Sequence, residues 1–190
     1  MSHIGKSPIT VPNNIQFQIK NEILYIRGPA GVSATPLLFN IKLVYFENKL
    51  YLICKETIIT SKKKQFAFWG LLHKLICSII KGVTRGFKEE LNFVGVGYRP
   101  TIKSRKRKGK LKKEVLILKL GYSHIIHFPI KYGTFIYYLN RRQIYILGNN
   151  LTKTMQTVAN IQAYRYPDVY KGKGILYKDQ ILRRKKGKKK

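Results

Sequence analysis

A short segment near the C-terminus combines lysine, glycine and tyrosine at a spacing suited to binding phosphate. It reads Pro-Asp-Val-Tyr-Lys-Gly-Lys-Gly-Ile and occupies residues 167–175. Lys171 and Lys173 supply positive charge, and Gly172 and Gly174 alternate with them. Because glycine has no Cβ, we expect the backbone here to approach a phosphate closely and to offer its N–H groups as donors. The segment therefore predicts contact with the backbone of a nucleic acid.

Two longer stretches hold nearly half of the positive charge. Residues 103–113 contain eight Lys or Arg in eleven positions, and residues 170–190 contain ten in twenty-one, opposed only by Asp179. Neither stretch has enough apolar residues to order itself, so we expect both to stay mobile until they lie along phosphates and release counterions. The first lies between two strand-like segments, which predicts an extended hairpin loop. Tyrosines around the second stretch could stack on unpaired bases or pack in the core.

The residue types needed for other chemistries occur in the wrong arrangement. His124 and His127 are three positions apart, so in a strand they point to opposite faces and cannot share a metal ion. Cys54 and Cys77 have a spacing that no zinc motif uses. The acidic pair at 89–90 is adjacent and would face apart in a strand. The sequence therefore predicts no metal site, no cofactor and no catalytic residue.

Composition indicates a folded protein with a polyanionic partner. The 190 residues include 38 Lys and Arg but only 8 Asp and Glu, a formal net charge of +30. Hydrophobic residues make up 44%, too many for a disordered basic tail. Two cysteines exclude a disulfide scaffold and favour a reducing compartment. The most apolar run, residues 66–80, is shorter than the roughly 20 residues of a membrane-spanning helix, so no membrane contact is expected.

The elements that must position these charges follow one plan twice. In the first half, strands are predicted at residues 15–19, 23–26, 41–46 and 50–53, with a turn at 21–22 and a hairpin turn at 47–49. In the second half, they are predicted at residues 91–98, 115–120, 125–128, 135–139 and 143–147. Each set is followed by apolar residues at helical spacing, which predicts helices over 66–83 and 151–162. Thr60 or Ser61 can cap the start of the first helix. This pattern is typical of an internal repeat.

The repeat predicts an α+β fold of two tandem duplicated small domains, each a mostly antiparallel sheet packed against one helix. We place the first domain at residues 1–82 and the second at 83–175, with a basic loop insertion at 103–113. Residues 176–190 form a basic C-terminal tail. Glycines between residues 81 and 91 permit a joint there.

Several further motifs keep a fixed order and spacing along the chain. They are SHIGKSPITVP at residues 2–12, GPAG at 28–31, GVTRGF at 82–87, VGVGYR at 94–99, LGYSH at 120–124 and AYR at 163–165. Together with the segment at 167–175, they resemble the large-subunit ribosomal protein L-six family over nearly the whole chain.

This resemblance implies two domains related by duplication and a structural role without catalysis. It also implies binding to large-subunit rRNA beside the sarcin–ricin loop and near the stalk base, where translational GTPases dock transiently. Neighbouring large-subunit proteins are the other expected partners, and no homo-oligomer is expected. The rRNA-contacting residues that the resemblance implies are Tyr170, Lys171, Gly172, Lys173 and Gly174, flanked by Arg165, Arg183, Arg184 and Lys185. The basic loop adds the candidates Lys103, Arg105, Lys106, Arg107 and Lys108.

One departure from the family bears on the source of the protein. Bacterial-type members have a much shorter link between the strands that flank residues 103–113, so this stretch resembles an insertion. The chain is also rich in Ile, Lys, Asn, Tyr and Phe and poor in Ala, a bias typical of AT-rich genomes. Both features favour an organellar ribosome, a mitochondrion in preference to a plastid, and an organelle-encoded gene.

Two other classes of function remain open. A free nucleic-acid chaperone or DNA-compacting protein would use charge alone, but it would need neither the glycine-spaced segment nor a duplicated core. An RNA-processing enzyme would need a cofactor loop, a metal cluster or an activated nucleophile. Co-sedimentation with the large ribosomal subunit separates the ribosomal role from both alternatives.

Overall fold

The structure, a computed structural model, describes residues 3–37, 41–54, 62–107 and 110–187. The chain divides into two compact units. The first comprises Met1–Gly86 with Asn149–Leu151, and the second comprises Phe87–Gly148 with Thr152–Lys190. The division falls after Gly86, inside the glycine-containing joint expected between residues 81 and 91.

The helices and strands of the described residues follow in chain order. They are α1 (His3–Lys6), β1 (Ile9–Thr10), β2 (Gln16–Lys20), β3 (Ile23–Gly28), β4 (Gly31–Pro36), β5 (Ile41–Phe46), β6 (Lys49–Cys54), α2 (Lys62–Thr84), β7 (Phe87–Val94), β8 (Arg99–Arg107), β9 (Lys110–Lys119), β10 (Ile126–Pro129), β11 (Thr134–Asn140), β12 (Gln143–Gly148), α3 (Leu151–Ala163) and β13 (Gly174–Tyr177).

Two hairpins in the first unit turn through pairs of residues with positive φ. Asn21 and Glu22, at φ 48° and 60°, join β2 to β3, and Glu47 and Asn48, at 45° and 60°, join β5 to β6. Positive φ at both central residues is the mark of type I′ turns, whose twist matches that of the flanking strands. The turn at 21–22 and the hairpin around 47–49 are therefore confirmed.

Helix α2 buries its apolar stripe against the two sheets of the first unit, ordered β2-β3-β4 and β1-β6-β5. Ile76 and Val83 are completely buried, as are Leu24 and Ile26 of β3. The indole N–H of Trp69 donates to the Leu52 carbonyl at 3.1 Å, which satisfies the polar group of this buried ring. The predicted helix over 66–83 is thus confirmed as a core element, while the caps expected at 60 and 61 lie outside the described residues.

Helix α2 is also long and apolar. By length and composition alone, Gln65–Thr84 is apolar enough to cross a membrane, and 44% of that stretch is buried inside the protein. A helix that forms one side of a core meets the same test, because its apolar stripe is covered by protein instead of lipid. The packing of α2 on β3 and β6 accounts for its hydrophobicity.

The second unit has one core between helix α3 and two antiparallel sheets, ordered β11-β12-β7-β13 and β10-β9-β8. Val158 and Ile161 of α3 are fully buried beside Leu91, Leu116 and Ile144 of the strands. Burial of a Leu or Ile side chain stabilises the fold by about 1.5–3 kcal/mol, so these residues hold the sheets and the helix together.

Two predictions about the basic stretches are wrong. Residues 103–107 and 110–113 belong to paired strands, with Lys103 opposite Val115 and Arg105 opposite Lys113, so the predicted hairpin loop is a hairpin of strands. Backbone pairing in a two-stranded ribbon tolerates charged side chains because they can remain in water. Residues 174–177 form β13, paired with β7, so ordered structure crosses the boundary expected at 175/176.

The α+β class and the duplicated plan are confirmed. Among the described residues, each unit has one long helix and antiparallel strands that supply its core. The strands of each unit form two sheets and not the single sheet that was expected. The second sheet of each unit was not predicted, because the local alternation of apolar and polar residues identifies strands but does not show which strands pair.

Candidate nucleic-acid interface

The segment at 167–175 forms a compact turn between α3 and β13. Helix α3 ends at Ala163, and Pro167, which has no backbone N–H and cannot continue a helix, follows shortly after. The Asp168 N–H donates to the Lys173 carbonyl at 2.9 Å, and the Gly172 N–H donates to the Asp168 carbonyl at 2.8 Å. These bonds close the turn, which we call the glycine turn.

The exposed carboxylate of Asp168 stabilises the glycine turn. It accepts the backbone N–H groups of Tyr170 at 3.0 Å and of Lys171 at 3.2 Å. These two hydrogen bonds to the charged form lower the pKa of Asp168 below its usual value, and the positive charge of Lys171 adds to the effect. Asp168 is therefore a structural part of the glycine turn.

The two glycines of the turn are needed for reasons other than phosphate access. Gly174 has φ +151°, and a Cβ there would lie 2.5 Å from the Cα of Pro167. Gly172 has φ +68°, and a Cβ there would lie 2.8 Å from the Nε of Arg184. The space that a Cβ at Gly174 would need is filled by the protein's own backbone, and contact of this glycine with a phosphate stays a prediction. Beside Gly172, the neighbouring group is itself a cation.

Positive side chains surround the glycine turn on its solvent side. Lys171 and Lys173 are exposed, and so are the three basic residues at 183–185. The Lys185 N–H donates to the Val169 carbonyl at 3.1 Å, which holds the C-terminal segment against the turn. The structure thus brings the lysines of the turn close to the basic residues at 183–185, although strand β13 separates the two groups in the sequence.

Arg165 is placed differently from these lysines. It is half-buried, and its guanidinium lies 4.8 Å from the ring centre of Tyr122, a cation–π contact. The hydroxyl of Tyr122 donates to the Tyr164 carbonyl at 3.1 Å, and the Arg165 carbonyl accepts the Ile175 N–H at 2.9 Å. Arg165 therefore ties the LGYSH motif to the start of the turn.

The tyrosines near the turn divide between the two roles that the sequence left open. Tyr166 and Tyr170 expose 66% and 60% of their surface, which leaves their rings accessible. Tyr177 is half-buried and packs against the core of the second unit. Tyr164 contacts Phe128 edge to face, with ring centres 6.2 Å apart. The first two are therefore available to a partner, and the last two support the fold.

The candidates in the basic hairpin are only partly described. Lys103 is exposed on β8, and the backbone of residues 105–107 continues that strand. The side chains of Arg105, Lys106 and Arg107 and all of Lys108 lie outside the described residues. The structure therefore places the hairpin in the second unit, the same unit as the glycine turn.

A cationic groove beside this hairpin was missed in the sequence. It lies between the edge strands β8 and β11, has a volume of about 600 Å³, and is lined by Arg99, Lys103 and Arg141 together with Tyr138 and Asn140. No acid lines it. The backbone N–H of Ile102 donates to the Tyr138 hydroxyl across the groove. Arg99 and Arg141 are far apart in the sequence, and only the folded chain brings them together.

Other chemistries find no support in the described part of the chain. It contains no group of three His, Cys, Asp or Glu residues that could hold a metal ion. His124 lies outside the strands and stacks on Tyr122, with ring centres 5.7 Å apart. The carboxylate of Glu90 accepts hydrogen bonds from the Nζ of Lys88 at 2.9 Å and from the Nζ of Lys178 at 3.0 Å. These bonds lower the pKa of Glu90, as expected for a paired carboxylate.

Comparisons with known proteins agree with one another. A model of the family described as ribosomal protein L6 matches residues 94–178. A protein of Chlorobium luteolum named large ribosomal subunit protein uL6 is 35% identical over 188 residues, covering 99% of this chain and 98% of its own. Proteins of the same name from Rhodopseudomonas palustris and Thermosipho melanesiensis are 34% and 32% identical, and each alignment covers all of both chains.

Proposed function

Because this chain belongs to the ribosomal protein L6 family, we propose that it binds large-subunit rRNA through the glycine turn and the basic segment that follows it. The chain is a structural, non-enzymatic component of the large ribosomal subunit. The observation that carries the rRNA proposal is the exposed pair Lys171 and Lys173 on a turn whose own acid, Asp168, is occupied by backbone N–H groups. Phosphate contacts of this kind position a protein on RNA.

The finer placement follows from the family resemblance. The turn binds rRNA beside the sarcin–ricin loop and near the stalk base, so translational GTPases pass close to it. The chain forms no homo-oligomer, and neighbouring large-subunit proteins are its other lasting partners. The cations at the glycine turn support contact with a polyanion, and the resemblance supplies the location.

The hairpin of β8 and β9 is proposed as a second rRNA contact. Its exposed Lys103 lines the groove together with Arg99 and Arg141, which are also exposed. Phosphates of an RNA strand lying along this groove would neutralise all three.

The biased composition supports an organellar origin, in a mitochondrion in preference to a plastid. The relatives named above are bacterial, which agrees with a bacterial-type ribosome. Immunodetection in ribosomes from purified organelles and from the cytosol tests the origin. A signal restricted to cytosolic ribosomes would contradict it.

The rRNA contact is tested with the double variant Lys171→Ala/Lys173→Ala. Each phosphate contact contributes about 0.9 to the slope of log affinity against log salt, so the slope should fall by about 1.8. Lys20 and Lys42 are exposed lysines of the first unit, and their double Ala variant is the matched control, which removes the same charge. An unchanged slope in the first variant, or an equal loss in both variants, would contradict contact at the turn.

A further inference from the structure

The sheet β11-β12-β7-β13 has one face that the core does not use. Ile136 and Ile146 point into the core and are buried, so their neighbours along the strands point the other way. These outward neighbours, together with three residues of β7, form what we call the aromatic face, which consists of Phe135, Tyr137, Leu139, Gln143, Tyr145, Leu147, Lys88, Glu90 and Asn92. The outward side of a two-faced antiparallel sheet is usually polar, whereas this one carries aromatic and aliphatic side chains beside its polar and charged ones.

The side chains of the aromatic face are arranged for stacking. The rings of Tyr137 and Tyr145, opposite each other in the ladder, lie 5.3 Å apart at an interplanar angle of 21°. The Nζ of Lys88 lies 4.7 Å from the ring centre of Tyr145. Phe135 and Tyr137 expose 56% and 45% of their surface. The face therefore presents exposed rings and a cation on a rigid sheet.

We propose that the aromatic face stacks unpaired bases of large-subunit rRNA, a contact separate from the glycine turn. This inference rests on the proposed function, since it takes the same RNA as ligand. Exposed aromatic rings on a sheet bind single-stranded RNA because every base has a flat face that can stack on them. A nearby lysine adds attraction for the phosphates that connect those bases.

Charge favours RNA over a protein as the occupant of this face. The four strands lie wholly in the described part of the chain, and Glu90 is the one acid that they place on this face. Its carboxylate is shared by Lys88 and Lys178 at 2.9 and 3.0 Å, so the cluster keeps a net positive charge.

The aromatic face is also continuous with the glycine turn. Strand β13 begins at Gly174, directly after the cations of the turn, and pairs with β7, the strand that carries Lys88 and Glu90. From Glu90 to Val94, opposite Gly174, is about 13 Å along the strand at the usual rise per residue. One RNA segment can therefore contact the turn through phosphates and the face through bases.

The test measures how the full-length chain binds short oligouridylate and an RNA duplex. The double variant Tyr137→Ala/Tyr145→Ala removes both rings, and Tyr137→Phe/Tyr145→Phe keeps them as the matched control. The Ala variant should bind oligouridylate about fivefold to 150-fold more weakly for each stacked base lost, with an unchanged salt slope. The Phe variant should match the wild type, and affinity for the duplex should not change in either variant.

Three results would overturn the inference. They are wild-type affinity in the Ala variant, an equal loss in the Phe variant, and ultraviolet cross-links in the assembled large subunit that join these tyrosines to a protein and not to RNA. If circular dichroism shows that the Ala variant does not fold, the binding measurement is made on Tyr145→Leu instead, because leucine keeps an apolar strand residue without a ring. Loss of affinity in Tyr145→Leu supports stacking, and full affinity refutes it.

These outcomes are distinguishable from failure of the proposed function. The lysine variant of the glycine turn changes the salt slope, whereas the tyrosine variants change the affinity at constant slope. If the lysine variant has no effect and the tyrosine variant does, the face binds RNA and the turn does not. If only the lysine variant has an effect, the aromatic face is not a binding site.

Discussion

Replacing Gly174 with alanine should destabilise the second unit severely. At φ +151° the backbone is in a region used almost only by glycine, and a residue with a side chain held there costs about 1–3 kcal/mol. The new Cβ would also lie 2.5 Å from the Pro167 Cα, 2.7 Å from the Pro167 nitrogen and 2.7 Å from the Tyr166 carbonyl oxygen. Because all three are backbone atoms, no side-chain rotation relieves the clash, and the total cost should exceed about 3 kcal/mol.

Thermal unfolding followed by circular dichroism measures this effect. For a domain of 60–100 residues, 1 kcal/mol shifts the Tm by roughly 4–8 °C, so a fall of at least about 12 °C is expected. Gly187→Ala is the matched control, since a Cβ there meets nothing within 4 Å, and its Tm should stay near that of the wild type. A Gly174→Ala variant that unfolds at the wild-type temperature would refute the strained geometry of the turn.

Three other predictions concern the same unit. Asp168→Asn should flatten the pH dependence of stability, because folding lowers the pKa of the wild-type carboxylate. The carboxylate stabilises the fold above its unfolded pKa of about 3.9, and this contribution is lost as the pH falls through the lower folded pKa. Melting curves recorded between neutral and acidic pH measure the difference between the two proteins. Leu91→Ala should lower the free energy of unfolding by about 2–5 kcal/mol in urea titrations, because Leu91 is fully buried in the core, and a loss below 1 kcal/mol would contradict that packing. Arg99→Ala/Arg141→Ala should lower the salt slope of rRNA binding by about 1.8 without changing the Tm, and an unchanged slope would exclude RNA from the groove.

Elements specified by local sequence were predicted correctly. The turns at 21–22 and 47–48 follow from polar residues between apolar runs, and helix α2 follows from apolar spacing. Strand β13 was assigned partly to a tail, since its pairing with β7 depends on residues far away in the chain. The high charge of residues 103–113 predicted a loop, but strand pairing uses backbone groups, which composition does not report.

The candidate site was predictable in its residues but not in its geometry. The motif identified Lys171 and Lys173, which the structure shows to be exposed. It could not show that Pro167 fills the space beside Gly174, nor that Arg184 lies beside Gly172. The cationic groove and the aromatic face were missed for a common reason: each is assembled from strands that are distant in sequence and adjacent only in the folded unit.

A density map of the assembled large subunit would show what the glycine turn contacts. We predict that the side-chain nitrogens of Lys171 and Lys173 lie within hydrogen-bonding distance of rRNA phosphate oxygens, with the segment at 183–185 along the same RNA. A map in which the glycine turn faces solvent or another protein, with no rRNA phosphate near either lysine, would contradict this prediction.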